Sequence, residues 1–262
     1  MSFFQPLLIV LSNFFPIFAT EVLINLTMNN AIRTLTIKFE NEIQQYEVPM
    51  LRGCFLSAMN GEANVLFHNH IGDKLRYSFP LIQYKRIGKK ACVLCVHEGT
   101  EVIGQFFNAQ SFNFRLGERM VEMQIEAVMP RMTTIQVWDS TFHYNLRRWL
   151  PFNSQNYETY KKTESQTERM SQLEHILVGN ILSMAKGLGI NFDRKITCSI
   201  TNVSEPHIAL VKQTKLMMLD VKFQSNVSLP QYIGIGRHSS IGFGIVTQDK
   251  IRDNNEQQTS AQ

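Results

Sequence analysis

Two histidines one residue apart, His68 and His70, close the extended run Val65-Leu66-Phe67, and Tyr77 follows seven residues after His70. In a strand, residues two apart share a face, so both imidazoles can point the same way. Imidazole titrates near neutral pH, so such a pair can divide proton traffic: one ring takes a proton from a nucleophile, the other gives one to a leaving oxygen. From Asp73 to Lys90 there are six basic residues (Lys74, Arg76, Lys85, Arg86, Lys89, Lys90) against one acid. On an RNA substrate the ribose 2′-hydroxyl can itself attack the adjacent phosphate, leaving a 2′,3′-cyclic phosphate and a free 5′-hydroxyl. Lys74 or Arg76 would then offset the extra charge on phosphorus, with no metal needed. Blander readings stay open beside this one. H-x-H supplies two zinc ligands where a site needs three or four. The pair can equally cap a strand end, Tyr77 can be packing, and the basic run can be a solvated face.

A second candidate for chemistry is Gly234-Ile235-Gly236-Arg237-His238-Ser239-Ser240-Ile241-Gly242-Phe243-Gly244. Glycines pair at both ends of a short basic, hydroxyl-bearing centre, a spacing that suits a turn lying closely against something. A dinucleotide site or P-loop needs a helix directly after its glycines. Here the strand-like Phe243 to Val246 follows, then mostly polar residues. The kinase H-R-D and D-F-G motifs are absent. What survives is a turn at the end of a sheet, with Gly234, Gly236, Gly242, Gly244, Arg237 and His238 offered to a polyanion. Arg147 and Arg148 beside Trp149 form a third stretch, able to stack a base or hold phosphates, or else to be an edge strand with Trp149 in the core.

At 262 residues the chain suits one large or two ordinary domains. An apolar fraction of 44% suffices for a core, and the net charge of +4 weakly favours a polyanionic partner. Four cysteines show no framework spacing; Cys92 and Cys95 read as small apolar residues of a central strand, in a reducing, cytoplasmic compartment. The apolar run from Phe3 to Ala19 is interrupted by Gln5, Pro6, Ser12, Asn13 and Pro16 and has no basic residue before it. It suits neither a signal peptide nor a membrane span. Residues 1–27 are expected to be a dispensable or mis-started extension ahead of Met28, and residues 251–262 a disordered tail.

The elements that must hold these residues follow from periodicity. Leu35, Ile37 and Phe39 alternate in a strand. Pro49 opens a helix to Met59, and extended structure returns at Val65. A strand from about Leu75 to Ile87 turns at Gly88-Lys89-Lys90 into Cys92–Val96. A helix spans Val102 to Phe107, and Arg119 to Ala127 alternates again, with Val121, Met123 and Ile125 inward. That order fits a split βαβ whose helices cover one sheet face and leave the other free. In the second half Leu173, Leu177, Ile181, Met184 and Ala185 share one helical face, ended by Gly187 and Gly189. Ile196, Cys198 and Ile200 then alternate, as do Leu219, Val221 and Phe223. The expected fold is α+β, two tandem ferredoxin-like (RRM-like) βαββαβ domains, 28–130 and 131–250, split near Pro130–Thr133.

These features resemble the repeat-associated RNA-binding superfamily, and within it the CRISPR repeat-RNA endoribonucleases. The resemblance rests on Ile32-Arg33-Thr34-Leu35-Thr36-Ile37, Pro49-Met50-Leu51-Arg52-Gly53, Leu66-Phe67-His68-Asn69-His70 and Tyr77-x-x-Pro80-Leu81-Ile82-Gln83-Tyr84-Lys85. It continues through Gln136-Val137-Trp138-Asp139, Gly179-Asn180-Ile181-Leu182-Ser183 and Leu229-Pro230 to Gly244, covering roughly residues 29–247. It implies catalysis by His70 and His68 with Tyr77 assisting, no cofactor, no metal, no membrane, and CRISPR repeat RNA as partner. A helper lysine of some relatives has no secure counterpart, which leaves Lys74, Arg76 and Lys85 as substitutes. A homodimer is common among such enzymes. The alternative reading is a non-catalytic guide-RNA-binding subunit of a CRISPR effector complex. Mass analysis of the native N-terminus checks the start: peptides beginning at Met28 are expected, and abundant earlier ones would contradict it.

Overall fold

The computed structural model describes residues 30–58, 70–71, 74–75, 79–107 and 112–249. The first half runs β1 (Ala31–Glu42), α1 (Val48–Ala58), a hairpin of β2 (His70–Ile71) and β3 (Lys74–Leu75), β4 (Ile82–Ile87), β5 (Lys90–Val96), α2 (Gly99–Phe107), a hairpin of β6 (Asn113–Leu116) and β7 (Arg119–Glu122), and β8 (Ile125–Thr134). Its four-stranded sheet has the order β4-β5-β1-β8 with every neighbouring pair antiparallel. That is the ferredoxin-like plan, with each helix carrying the chain past one strand. The second half runs β9 (Val137–Trp149), α3 (Ser154–Lys162), α4 (Gln166–Gly187), β10 (Cys198–Val203), β11 (His207–Val211), β12 (Thr214–Val227) and β13 (Ile245–Gln248). Its sheet repeats the order as β10-β12-β9-β13, with β11 added beside β12. The fold is α+β in both halves. Between β12 and β13, where the first half has α2, the second has the Gly-rich turn.

Register decides which residues face which way. Leu35, Ile37, Val93, Cys95, Ile82 and Tyr84 share one sheet face and pack with Leu51, Phe55 and Ile103 of the helices. Thr34 and Thr36 pair with Val96 and Leu94, so they lie on the opposite face, and all four are buried. Ile32, Leu94 and Val96 belong to the same core as Tyr144, Leu146, Trp149 and Leu177 of the second half. The face expected to stay free is therefore covered. A-C-V-L-C-V is apolar throughout because both sides of β5 are dry. Cys92 and Cys95 are buried free thiols there; burial pushes the Cys92 thiol up to about 12 and Cys95 higher still.

Two further expectations change. The alternating stretch 119–127 is not one strand: β7 pairs with β6 in a hairpin, and the sheet strand begins at Ile125. Alternation alone does not reveal where a strand changes partner. β8 also continues through Pro130, opposite Leu35, to Thr134, so the expected split near Pro130 falls inside a strand. A proline is tolerated there because β8 is an edge strand and its free side needs no donor. Leu173, Leu177, Ile181, Met184 and Ala185 are the buried face of α4, as the heptad-like spacing requires. Among the described residues no helix is long and apolar enough to cross a membrane.

Gly244 has φ +62, and a Cβ there would lie 1.9 Å from the Ile235 carbonyl oxygen. Gly244→Ala is expected to cost at least about 2 kcal/mol in denaturant unfolding. Gly179, in mid-α4 with nothing within 4 Å of a built Cβ, provides the contrast: Gly179→Ala should stabilise by about 0.5–1 kcal/mol.

Candidate nucleic-acid interface

Of the histidine segment, His68, Arg76 and Tyr77 lie outside the described residues. His70 and Lys74 are described by their backbone: His70 pairs with Leu75 and Ile71 with Lys74 across the β2–β3 hairpin. The chain re-enters at Phe79, two residues after Tyr77, and leads directly into β4.

The Gly-rich turn lies against β4. Tyr84 N–H donates to the Ser240 carbonyl at 2.9 Å, and Tyr84 and Ile241 form a parallel bridge. Gly234, Gly242 and Gly244 are buried, with Gly242 against the Tyr84 carbonyl; Gly236 is half-buried beside Trp149 and Asn180. Gly234, Gly242 and Gly244 thus serve close packing, because a buried backbone has no surface left for a phosphate, whereas Gly236 lines the cleft described below. Lys85 corrects the sequence reading in the same way. It is 0% exposed, with its ammonium donating to Gln83 Oε1 at 2.8 Å, so a phosphate has nothing to reach.

The remaining basic candidates divide. Arg147 is exposed, on the sheet face opposite buried Leu146. Arg148 is the bulge residue that follows, at φ +56, with its guanidinium 4.8 Å from the centre of the Phe243 ring. Its Nε is buried without a hydrogen-bond partner. Burial lowers the Arg148 pKa, the Asp220 carboxylate opposes this, and the Arg86 charge lowers it further. His238, at φ +56, stands edge-on to Phe243 with centroids 6.2 Å apart. Burial holds its pKa below the usual value, helped by the charges of Arg237 and Lys212. Arg86 donates to the Ile43 carbonyl at 2.6 Å and Arg237 to the Phe152 carbonyl. Arg86 of the first half thus acts on Arg148, and Arg237 and Lys212 act on His238, while Arg148 and His238 both lie against the Phe243 ring. Lys212 and Phe243 were missed from sequence. Lys212 is a lone lysine in a hairpin turn and gives no signal, whereas Phe243, framed by two glycines, did.

A cleft of about 630 Å³ opens beside this group. One wall is Phe79 and Pro80; the other is Asn180, Ser183 and Lys186 of α4 with Arg237 of the turn. Trp149 Nε1 donates to Asn180 Oδ1 at 2.8 Å, which fixes α4 to the end of β9. Gly187 lets Phe79 sit on the helix end, since a Cβ there would lie 2.3 Å from Phe79 Cβ. Among the described residues no three His, Cys, Asp or Glu side chains are grouped to hold a metal ion.

Comparison with known proteins places both halves. Residues 30–134 match the model of the Cas6b N-terminal domain, and residues 136–249 that of the Cas6b C-terminal domain. The chain belongs to the Cas6b family. A crystal structure of Cas6b is similar to it at TM-score 0.77 and 26% identity, covering 84% of this chain and 100% of that one. A second, of the CRISPR RNA processing endoribonuclease Cas6b, covers the same shares at TM-score 0.65 and 24% identity, a likeness of fold. An uncharacterised Methanocaldococcus jannaschii protein, MJ0978, is 37% identical over 98 residues, or 37% of this chain. The chain spans 65% of that curated relative's length. The Cas6b domain boundary, between residues 134 and 136, coincides with the end of β8.

Burial drives the Lys85 ammonium down from 10.5 to about 7. Cys92 faces it from β5, with Lys38 beyond on β1, while the turn presents Gly234 and Ser239, neither of which titrates. Between pH 7 and 10.5 the unfolded chain then holds a proton that the folded chain lacks, so stability rises with pH across that window. The slope from this group is at most about 1.4 kcal/mol per pH unit. Denaturant unfolding at pH 7 and pH 9 should show this rise in the wild type and a flatter response in Lys85→Met. An identical pH response in both proteins would contradict it.

Proposed function

We propose that this chain is an endoribonuclease that cuts CRISPR precursor RNA within its repeats, without a metal ion. The observation that carries the reading is the basic cleft. Phe79 and Pro80 on one wall lie two and three residues beyond Tyr77 in the chain, and Lys186 and Arg237 face them from the other half. A polyanion entering there meets Lys186 and Arg237 of the second half, across from the segment that follows Tyr77 in the chain. Membership of the Cas6b family over residues 30–249 supports the reading, as does the name of the solved relative, a CRISPR RNA processing endoribonuclease.

In this mechanism His70 and His68 share the roles of general base and general acid, and Tyr77 assists. The base takes the proton of a ribose 2′-hydroxyl as its oxygen bonds to phosphorus. The P–O5′ bond breaks, and the acid gives its proton to O5′. The products carry a 2′,3′-cyclic phosphate and a 5′-hydroxyl. Lys74 and Arg76 offset the charge that builds on phosphorus. Arg86, Arg148, Lys212 and Arg237 hold the strand, with His238 offering a ring to a base. Arg147, on the opposite face, and Arg237 contribute phosphate contacts of long-range electrostatic kind. Repeat RNA is the partner in this reading, with a second copy or an effector complex as protein partners.

The wild-type protein is expected to cut a repeat oligonucleotide in EDTA, giving cyclic phosphate ends. His70→Ala should lower the single-turnover rate by about 10²–10⁴ while binding is kept. Loss of cutting in EDTA, or a fully active His70→Ala, would reject the mechanism. Binding by the wild type with no cleavage would make the chain a non-catalytic guide-RNA subunit. Arg237→Ala should instead weaken binding across sequences and reduce the salt slope by about one.

A further inference from the structure

The block Gln83-Tyr84-Lys85 takes no part in the proton transfers above, yet every one of its residues engages the Gly-rich turn. Gln83 Oε1 accepts from Gly234 N–H at 2.7 Å and from Lys85 Nζ at 2.8 Å. Gln83 Nε2 donates to the Pro80 carbonyl at 3.1 Å and the Gly234 carbonyl at 3.4 Å. Both side chains are 0% exposed. One buried amide thus joins Pro80, part of the cleft wall, to Gly234, which begins the turn that carries Arg237 and His238. Both lone pairs of Oε1 and both N–H groups are used, so the group is satisfied in this one arrangement. Gly234 has no room for a side chain either, since a Cβ there would lie 2.9 Å from Gln83 Oε1 and 3.0 Å from Lys85 Nζ.

We propose that Gln83 and Lys85 are positioning residues, a buried pin that fixes the wall segment at Pro80 against the Gly-rich turn and so sets where the turn presents Arg237 and His238 to the bound RNA. Lys85 acts through Gln83: its amino group, a donor whether charged or neutral, occupies one lone pair of Oε1 and leaves the other aimed at Gly234. Burying a lysine and an amide here is costlier than burying two apolar side chains of similar volume. What the polar pair adds is direction. An apolar pair would fill the space without specifying which peptide of the turn lies opposite β4, and displacement of a reacting group by about 1 Å costs about 100-fold in rate.

The proposal rests on the endoribonuclease reading, and its test separates the two. Single-turnover cleavage of a repeat oligonucleotide is compared with binding of the same oligonucleotide carrying a 2′-deoxy residue at the cut site. Gln83→Leu should slow cleavage by about 10- to 100-fold, leave affinity near the wild-type value, and raise hydrogen exchange at amides 233–242. Gln83→Glu keeps the acceptor for Gly234 N–H and Lys85 but loses both N–H donors, to the Pro80 and Gly234 carbonyls, and should recover only part of the rate. Lys85→Met, which leaves Gln83 in place, should slow cleavage less than Gln83→Leu and serves if Gln83→Leu does not fold. Wild-type cleavage and exchange in Gln83→Leu would overturn the pin. A loss carried wholly by affinity would also overturn it. A wild type that never cleaves rejects the endoribonuclease reading instead, and the exchange measurement then decides on the pin alone.

Discussion

Everything in the described molecule depends on how the open edge of the first sheet is closed. An edge strand presents unpaired backbone groups, and β4 presents them next to the chain segment that carries the proposed chemistry. The Gly-rich turn meets that edge as a short irregular strand, through Tyr84 N–H to the Ser240 carbonyl and the bridge to Ile241. Close approach is what the glycines permit. With side chains at Gly234 or Gly242, the turn would stand off and the edge would remain open to water.

This contact also explains why the second half lacks a second helix. The order β10-β12-β9-β13 needs a crossover from β12 to β13, and a helix would satisfy it. Residues 228–244 make the crossover as an extended, tightly turned segment that faces the first half. The saved thickness lets the first sheet place Ile32, Leu94 and Val96 in the core of the second. Two sandwiches thereby share one dry layer, and the relative placement of their surfaces is set by packing.

The cations gathered near Phe243 make sense against that rigid frame. Arg86 depresses the charged state of Arg148, and Arg237 and Lys212 do the same to His238. Like charges held this close cost free energy in the empty protein. A polyanion relieves that repulsion on binding, and the relief is screened by salt. Asp220 moderates the crowding by accepting from Arg148 N–H at 2.6 Å. The proposed RNA-binding surface is thus strained electrostatically by the same packing that closes the sheet edge.

Local periodicity was enough for most elements. The i, i+4, i+8 spacing of Leu173, Leu177 and Ile181 specifies the buried face of α4, and the alternation of Leu35, Ile37 and Phe39 specifies one face of β1. These patterns are intrinsic to the chain because helix and strand repeat lengths are fixed by backbone geometry. The fates of Thr34, Thr36, Gln83 and Lys85 were not legible, since polar residues on a strand ordinarily signal water. Only the arrival of the second half turns that face inward and makes Lys85 a buried hydrogen-bond donor in place of a phosphate ligand. The same holds for the glycines: their spacing announces a turn that something approaches closely, but tertiary structure decided that the something is β4. Sequence therefore determined the elements, their order and the residue types available for chemistry. Which cations stand together, and which are spent on holding the halves in place, was decided by long-range packing that no local pattern encodes.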